Sequence, residues 1–176
     1  VVREACRQCA AWLSEGLDPA YVSVNVSAVE FGRGNFVSQV AQALDAAGLP
    51  GERLVLELTE STVMRDADES ARRMAKLRGL GIRIAIDDFG TGYSSLAYLR
   101  RFPVDTLKID RSFVRDLGTP GDSTPLIRAM IDLAHWLGLT VVVEGVESQH
   151  QLEILSRAGC DLVQGHLYGE ELSAGS

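Results

Sequence analysis

Hydrophobic and polar residues alternate in six short stretches of the chain, and helical patterns separate these stretches. Alternation with a period of two predicts a β-strand, whereas apolar residues with a period of 3.6 predict a helix. The predicted strands are Tyr21–Ser27, Leu54–Thr59, Ile82–Asp87, Thr106–Asp110, Thr140–Gly145 and Asp161–Gln164. The predicted helices are Val2–Leu13, Phe36–Ala47, Asp68–Leu80, Pro125–Leu137 and Gln149–Ala158, with one more starting near Leu96. Strands and helices that alternate in this way predict parallel βαβ units.

The distribution of polar residues within the strands separates two parallel architectures. Strands of an open, doubly wound sheet are covered on both faces and read as continuous apolar runs. Here one face of each strand is aliphatic and the other becomes polar toward its carboxyl end, which favours an α/β fold of the (β/α)8 barrel type. A barrel needs eight strands, so we expect residues 1–176 to form one domain that is truncated at its N-terminus to about six βα units.

Six polar side chains occupy the carboxyl ends of the six predicted strands. They are Asn25, Glu57, Asp87, Lys108, Glu144 and Gln164. In a barrel these strand ends converge on one mouth, so we expect the six side chains to surround a single site.

The third strand ends in two adjacent acids and a glycine-rich loop. Ile82, Ile84 and Ile86 share one strand face, which places Asp87 on the other. Asp88 is predicted to begin the loop, so the two acids are expected to point in different directions. The glycines that follow predict a mobile loop beside the acids.

The residue types at the strand ends predict a metal site. Clustered carboxylates repel one another unless a cation lies between them, and carboxylate and amide oxygens suit Mg²⁺ or Mn²⁺ better than Zn²⁺. Glu57, Asp87, Asp88 and Glu144 suffice to hold two divalent ions about 3.5–4 Å apart, an arrangement that supports phosphodiester hydrolysis. Lys108 would orient the attacking water, assist its deprotonation or neutralise charge on the phosphate. A single-metal barrel that performs enolate chemistry with a lysine base uses the same residue types and stays an alternative.

Composition narrows the partners and the compartment. The net charge of −7 argues against binding of a nucleic-acid polymer or an anionic membrane surface. The sequence has no apolar run long enough to span a bilayer, so we expect no membrane contact from this segment. Three cysteines do not form an even disulfide set, which favours a reducing, cytoplasmic location.

Several motifs along the chain resemble those of the EAL domain, the bacterial cyclic di-GMP phosphodiesterase family. The matching stretches are Asn25–Ala28, Glu57–Ser61, Asp87–Leu96, Phe102–Asp105, Leu107–Asp110, Glu144–Glu147 and Gln164–Gly165. This resemblance implies a modified TIM barrel that hydrolyses cyclic di-GMP to linear pGpG with Mg²⁺ or Mn²⁺. The Glu-Ala-Leu signature of the family would lie on a strand upstream of residue 1.

The resemblance also implies which residues hold the metals. Asn25, Glu57 and Asp87 would be direct ligands. Asp88 and Glu144 would serve a second metal, directly or through water.

Other roles follow from the same resemblance. Lys108 would act on the nucleophilic water, and Gln164 would help to position water or substrate. Glu60 would anchor the loop Asp88–Leu96, the region through which a homodimer would form. A receptor that binds cyclic di-GMP without cleaving it is the alternative, but such receptors tend to lose metal ligands, and those visible in this sequence are intact.

Overall fold

A computed structural model of the chain describes residues 1–92, 99–167 and 169. The described residues fall into two compact units, one of residues 1–85 and 99–104 and the other of residues 86–92, 105–167 and 169. The predicted helix near Leu96 lies outside the described residues. Among the described residues, we find no helix that is both long and apolar enough to span a membrane.

The first unit contains helices and strands that match most of the predicted elements. They are α1 (Val2–Ser14), β1 (Val22–Asn25), α2 (Ala28–Phe31), α3 (Phe36–Ala47), β2 (Leu54–Thr59), α4 (Glu60–Met64), α5 (Ala67–Arg78) and the start of β3 (Arg83–Phe89). A 3-10 turn, Gly51–Arg53, precedes β2. Strand β2 and helix α3 have the predicted bounds, because each pattern ends at a clear signal. For α3 that signal is Gly48, which adopts the left-handed conformation that ends many helices.

The second unit takes the remainder of β3 and continues with three more strands. Its elements are β4 (Thr106–Ile109), α6 (Thr124–Trp136), β5 (Thr140–Glu144), α7 (Gln149–Ala158) and β6 (Leu162–Gln164). A 3-10 turn, Arg111–Phe113, directly follows β4. Helix α7 has the predicted bounds, since Ser148 closes a capping box with Gln151 at its start.

The strand order in the sheet follows the chain, from β1 to β6. The pairs β1–β2, β4–β5 and β5–β6 are parallel. The α/β class and the succession of parallel strands are therefore confirmed. Aliphatic side chains of the strands are fully buried, among them Leu54, Leu56 and Leu58 on β2 and Leu107 and Ile109 on β4.

Two short helices were missed by the pattern analysis. Helix α2 is capped by Ser27, whose side chain accepts a hydrogen bond from the Glu30 N–H while the Glu30 carboxylate accepts from the Ser27 N–H. Helix α4 starts after Thr59, whose hydroxyl accepts from the Thr62 N–H. Such short helices display too little periodicity to be recognised, and their capping residues are the signal that could have revealed them.

Candidate metal centre and active site

Three of the predicted site acids meet in the second unit. Carboxylate oxygens of Asp87, Asp88 and Glu144 all lie within 4.8 Å of one another, and each residue is half-buried. Strand β3 supplies the two aspartates and strand β5 ends at the glutamate. The sequence prediction that β3 and β5 bring their acids to a common site is consistent with this geometry.

The two aspartates do not follow the strand alternation that the sequence predicted. Strand β3 continues through Asp88 to Phe89, so Asp88 does not begin the loop. Its φ of 55° lies in the left-handed region, and its carbonyl accepts hydrogen bonds from the N–H and the hydroxyl of Thr91 at 3.3 and 2.8 Å. This turn directs the Asp88 carboxylate toward that of Asp87, whereas strict alternation would have separated them.

Lys108 is the cation of this cluster. Its ammonium Nζ lies 2.6 Å from Oε1 of Glu144 and 3.4 Å from Oδ1 of Asp87. The residue is buried on β4 with 5% exposure, so water screens these ion pairs only weakly. Lys108 pairs in register with Val142, two residues before Glu144. Its backbone therefore lies further from the carboxyl end of the sheet than that of Glu144, and its long side chain spans the difference.

The electrostatics of Asp88 show that the cluster carries excess negative charge. Burial raises the pKa of the Asp88 carboxyl, and the charges of Asp87 and Asp110 raise it further against the opposing charge of Lys108. Three carboxylates face one ammonium, so a divalent cation would relieve the repulsion. The donor set consists of carboxylate oxygens, which fits Mg²⁺ or Mn²⁺.

Asp110 contributes to this field although it was not predicted as a site residue. It follows β4, and its Oδ1 accepts a 3.0 Å hydrogen bond from the Ser112 N–H. Burial acts to raise the pKa of Asp110, but the hydrogen bonds from Ser112 lower it below its ordinary value. An aspartate that directly follows a strand and precedes Arg-Ser is a capping pattern, and that pattern could have drawn attention to it.

Gln164 lies beside the cluster at the level of the sheet backbone. It ends β6 and pairs in register with Glu144 on β5. Its side chain is exposed, so it is accessible to a ligand.

The remaining predicted site residues belong to the first unit. Asn25 is the last residue of β1, and Glu57 lies two residues before the end of β2. The two residues are partners in the parallel register of these strands. Glu57 is buried and Asn25 is exposed. Glu60 is the first residue of α4 and is buried with 7% exposure. The structure thus brings Asn25 together with Glu57, and Asp87 together with Asp88, Lys108 and Glu144.

Comparisons with known proteins relate this chain to one protein family. The family model described as EAL domain matches residues 1–171. The bifunctional diguanylate cyclase/cyclic di-GMP phosphodiesterase MucR of Pseudomonas aeruginosa is 45% identical over 174 residues, which cover 99% of this chain and 25% of MucR. This chain therefore spans about a quarter of the length of that relative.

Solved structures of proteins in complex with cyclic di-GMP are also similar to this chain. The structure of the MucR phosphodiesterase in complex with c-di-GMP has a TM-score of 0.94 and 44% identity, covering 99% of this chain and 70% of that one. A Klebsiella pneumoniae BlrP1 complex with manganese and cyclic di-GMP has a TM-score of 0.82 and 31% identity, covering 94% of this chain and 42% of that one. From the match of the family model and the identity to these relatives, we conclude that this chain belongs to the EAL domain family.

Proposed function

We propose that this chain hydrolyses one phosphodiester bond of cyclic di-GMP to give linear pGpG, with Mg²⁺ or Mn²⁺ as cofactor. The observation that carries the proposal is the buried Lys108 ammonium that contacts Glu144 and Asp87 beside a third carboxylate. Family relatives named as cyclic di-GMP phosphodiesterases support the substrate and the reaction class.

Asp87, Asp88 and Glu144 would hold the metal in the second unit, because their oxygens already lie at distances that suit a shared cation. A bound divalent ion would supply an activated water and would stabilise negative charge on a phosphoryl oxygen. We propose a two-metal site, with Asn25 and Glu57 as further ligands. The position of Asn25 beside Glu57 in the register of β1 and β2 supports their assignment as a pair.

Lys108 would act on the attacking water or on the charge that develops on the phosphate. Its burial and its two ion pairs hold the ammonium close to Glu144 and Asp87. Glu144, 2.6 Å away, is placed to exchange a proton with it. Gln164, which is exposed next to Glu144 in the register, would position water or substrate.

Glu60 would anchor the loop Asp88–Leu96, and a homodimer would form through the region of that loop. The buried position of Glu60 at the start of α4 supports a structural contact for its carboxylate. Residues 93–96 of the loop lie outside the described part of the chain, so the homodimer rests on the family resemblance. We place the protein in the cytoplasm, because its three cysteines do not form an even disulfide set.

The direct test of this site is hydrolysis of cyclic di-GMP by the variant Asp87→Asn. A neutral amide keeps the shape of the carboxylate but loses the charge that binds a cation, so kcat should fall by roughly 100-fold or more. The control is Asp132→Asn, which makes the same chemical change at an exposed acid of α6. Release of pGpG is followed by chromatography.

The control should retain the activity of the unmodified protein. Activity of Asp87→Asn within about threefold of that protein would remove Asp87 from the metal site, since loss of a group acting on the transition state costs far more.

A further inference from the structure

The 3-10 turn Arg111–Phe113 lies directly after the strand that carries Lys108. Asp110 fixes the start of this turn, since its side chain accepts the Ser112 N–H at 3.0 Å and its carbonyl accepts the Phe113 N–H at 3.1 Å. The Val114 N–H in turn donates to the Arg111 carbonyl at 3.0 Å. The turn is therefore hydrogen-bonded to the residue that follows β4.

Two glycines that follow the site acids pack against this turn. Gly90 comes two residues after Asp88 and has a φ of 93°, and a Cβ there would lie 3.0 Å from the Phe113 ring. Gly145 comes directly after Glu144 and has a φ of 74°. A Cβ there would overlap the Cβ of Arg111. The turn thus touches the backbone next to both acid-bearing strand ends.

These contacts lie next to the two strand ends at which mutually repelling carboxylates stay close together. The left-handed conformation at Asp88 and the glycine beyond it form a tight bend that few other residues would permit. A ring packed on Gly90 opposes unwinding of that bend, and the Arg111 Cβ opposes displacement of the backbone after Glu144. Outer contacts that orient metal ligands in this manner commonly affect metal affinity strongly.

We propose that the turn Arg111–Phe113 is a positioning element for the metal site, in which Phe113 sets the Asp88 bend and the Arg111 Cβ sets Glu144. The inference rests on the proposed function, because it deepens the account of the same site. Neither residue is assigned a contact with substrate. Both act through the backbone that carries the ligands.

The experiment compares Mn²⁺ affinity, measured by electron paramagnetic resonance without nucleotide, with the kinetics of cyclic di-GMP hydrolysis. Phe113→Ala should weaken Mn²⁺ binding by about tenfold or more and lower kcat by a similar factor. The KM for the nucleotide should change far less. Phe113→Leu retains apolar bulk against Gly90 and should recover most of the affinity.

A second pair of variants isolates the contact of Arg111. Arg111→Ala removes the exposed guanidinium but keeps the Cβ that packs on Gly145, so Mn²⁺ affinity should be unchanged. Arg111→Gly removes that Cβ and should weaken Mn²⁺ binding. Because Arg111 is exposed, this pair is informative even where Phe113→Ala fails to fold.

Leu155→Ala controls for loss of packing elsewhere in the second unit, since Leu155 is fully buried on α7. It should lower the melting temperature without changing Mn²⁺ affinity. Unaltered Mn²⁺ affinity in both Phe113→Ala and Arg111→Gly would overturn the inference, even if their melting temperatures fall as in Leu155→Ala.

The outcomes separate this inference from the proposed function. Unmodified protein that binds Mn²⁺ but releases no pGpG contradicts the function, while the affinities of the variants still decide the role of the turn. Unmodified protein that hydrolyses cyclic di-GMP, with variants of unchanged affinity, contradicts the positioning role alone. Failure of the unmodified protein to bind Mn²⁺ would overturn both.

Discussion

At the scale of single residues, Lys108 is a buried cation that contacts two of the site acids. On the neighbouring strand, its register partner is Val142, two residues before Glu144, yet its ammonium lies 2.6 Å from the Glu144 carboxylate. A buried ammonium needs such partners, because burial of an unpaired charge is strongly unfavourable. The same carboxylates would bind a metal, so Lys108 and a bound cation would interact with the same negative charges.

Lys108→Met should separate catalysis from metal binding. Methionine keeps much of the length and apolar volume of the side chain but carries no charge, so kcat should fall by about 100-fold or more. Mn²⁺ affinity should be retained or increased, because a positive charge beside the ligands has been removed. Both quantities are measured on the same preparations, with Lys76→Met at an exposed position of α5 as the matched control.

Loss of Mn²⁺ affinity in Lys108→Met would point to another role for the residue. It would indicate that Lys108 gathers the carboxylates rather than acting on water or phosphate. The control variant should match the unmodified protein in both measurements.

The sequence located the acids of the site but not their local geometry. Strand parity predicted that Asp87 and Glu144 lie near the carboxyl ends of β3 and β5, and the structure has them there, because side-chain alternation is a simple repeat. It misjudged Asp88, since a left-handed residue inside a strand interrupts that repeat and leaves no trace in the hydrophobic pattern. The packing of Phe113 on Gly90 could not be predicted from the sequence pattern either, because it depends on tertiary contacts.

At the scale of elements, the longer helices and strands were predictable and the short connecting pieces were not. Strand β2 and helices α3 and α7 have the predicted bounds, because each has a clear pattern and a clear cap or stop. Helices α2 and α4 and the two 3-10 turns consist of only a few residues. Their formation depends on capping side chains and on the packing around them.

The 3-10 turn Gly51–Arg53 provides a test of element packing in the first unit. Gly51 is buried, and a Cβ at this position would overlap the carbonyl of Leu80. Gly51→Ala should therefore destabilise the fold by roughly 1–3 kcal/mol, the range found for overpacked sites. Urea denaturation measures the free energy of unfolding.

Gly34→Ala is the matched control for this substitution. No atom lies within 4 Å of a Cβ built on Gly34, and its φ is not positive. Its free energy of unfolding should change by no more than about 0.5 kcal/mol. Equal effects of the two substitutions would contradict the close approach of the 3-10 turn to Leu80.

At the scale of the whole molecule, the family match covers both groups of predicted site residues. The family match extends over residues 1–171, so it includes Asn25 and Glu57 of the first unit as well as the acids of the second. The ligand roles of Asn25 and Glu57, the homodimer and the upstream Glu-Ala-Leu strand stay predictions. Family membership alone does not separate an enzyme from a receptor, because both would bind the same nucleotide.

Product analysis of cyclic di-GMP incubated with the protein tests the central claim most directly. We predict that linear pGpG accumulates over many turnovers in Mn²⁺ or Mg²⁺ and that a metal chelator stops its formation. Calorimetric titration with the nucleotide in the presence of chelator measures binding separately. Tight binding of cyclic di-GMP with no pGpG released in either metal would contradict hydrolysis and would identify the chain as a receptor.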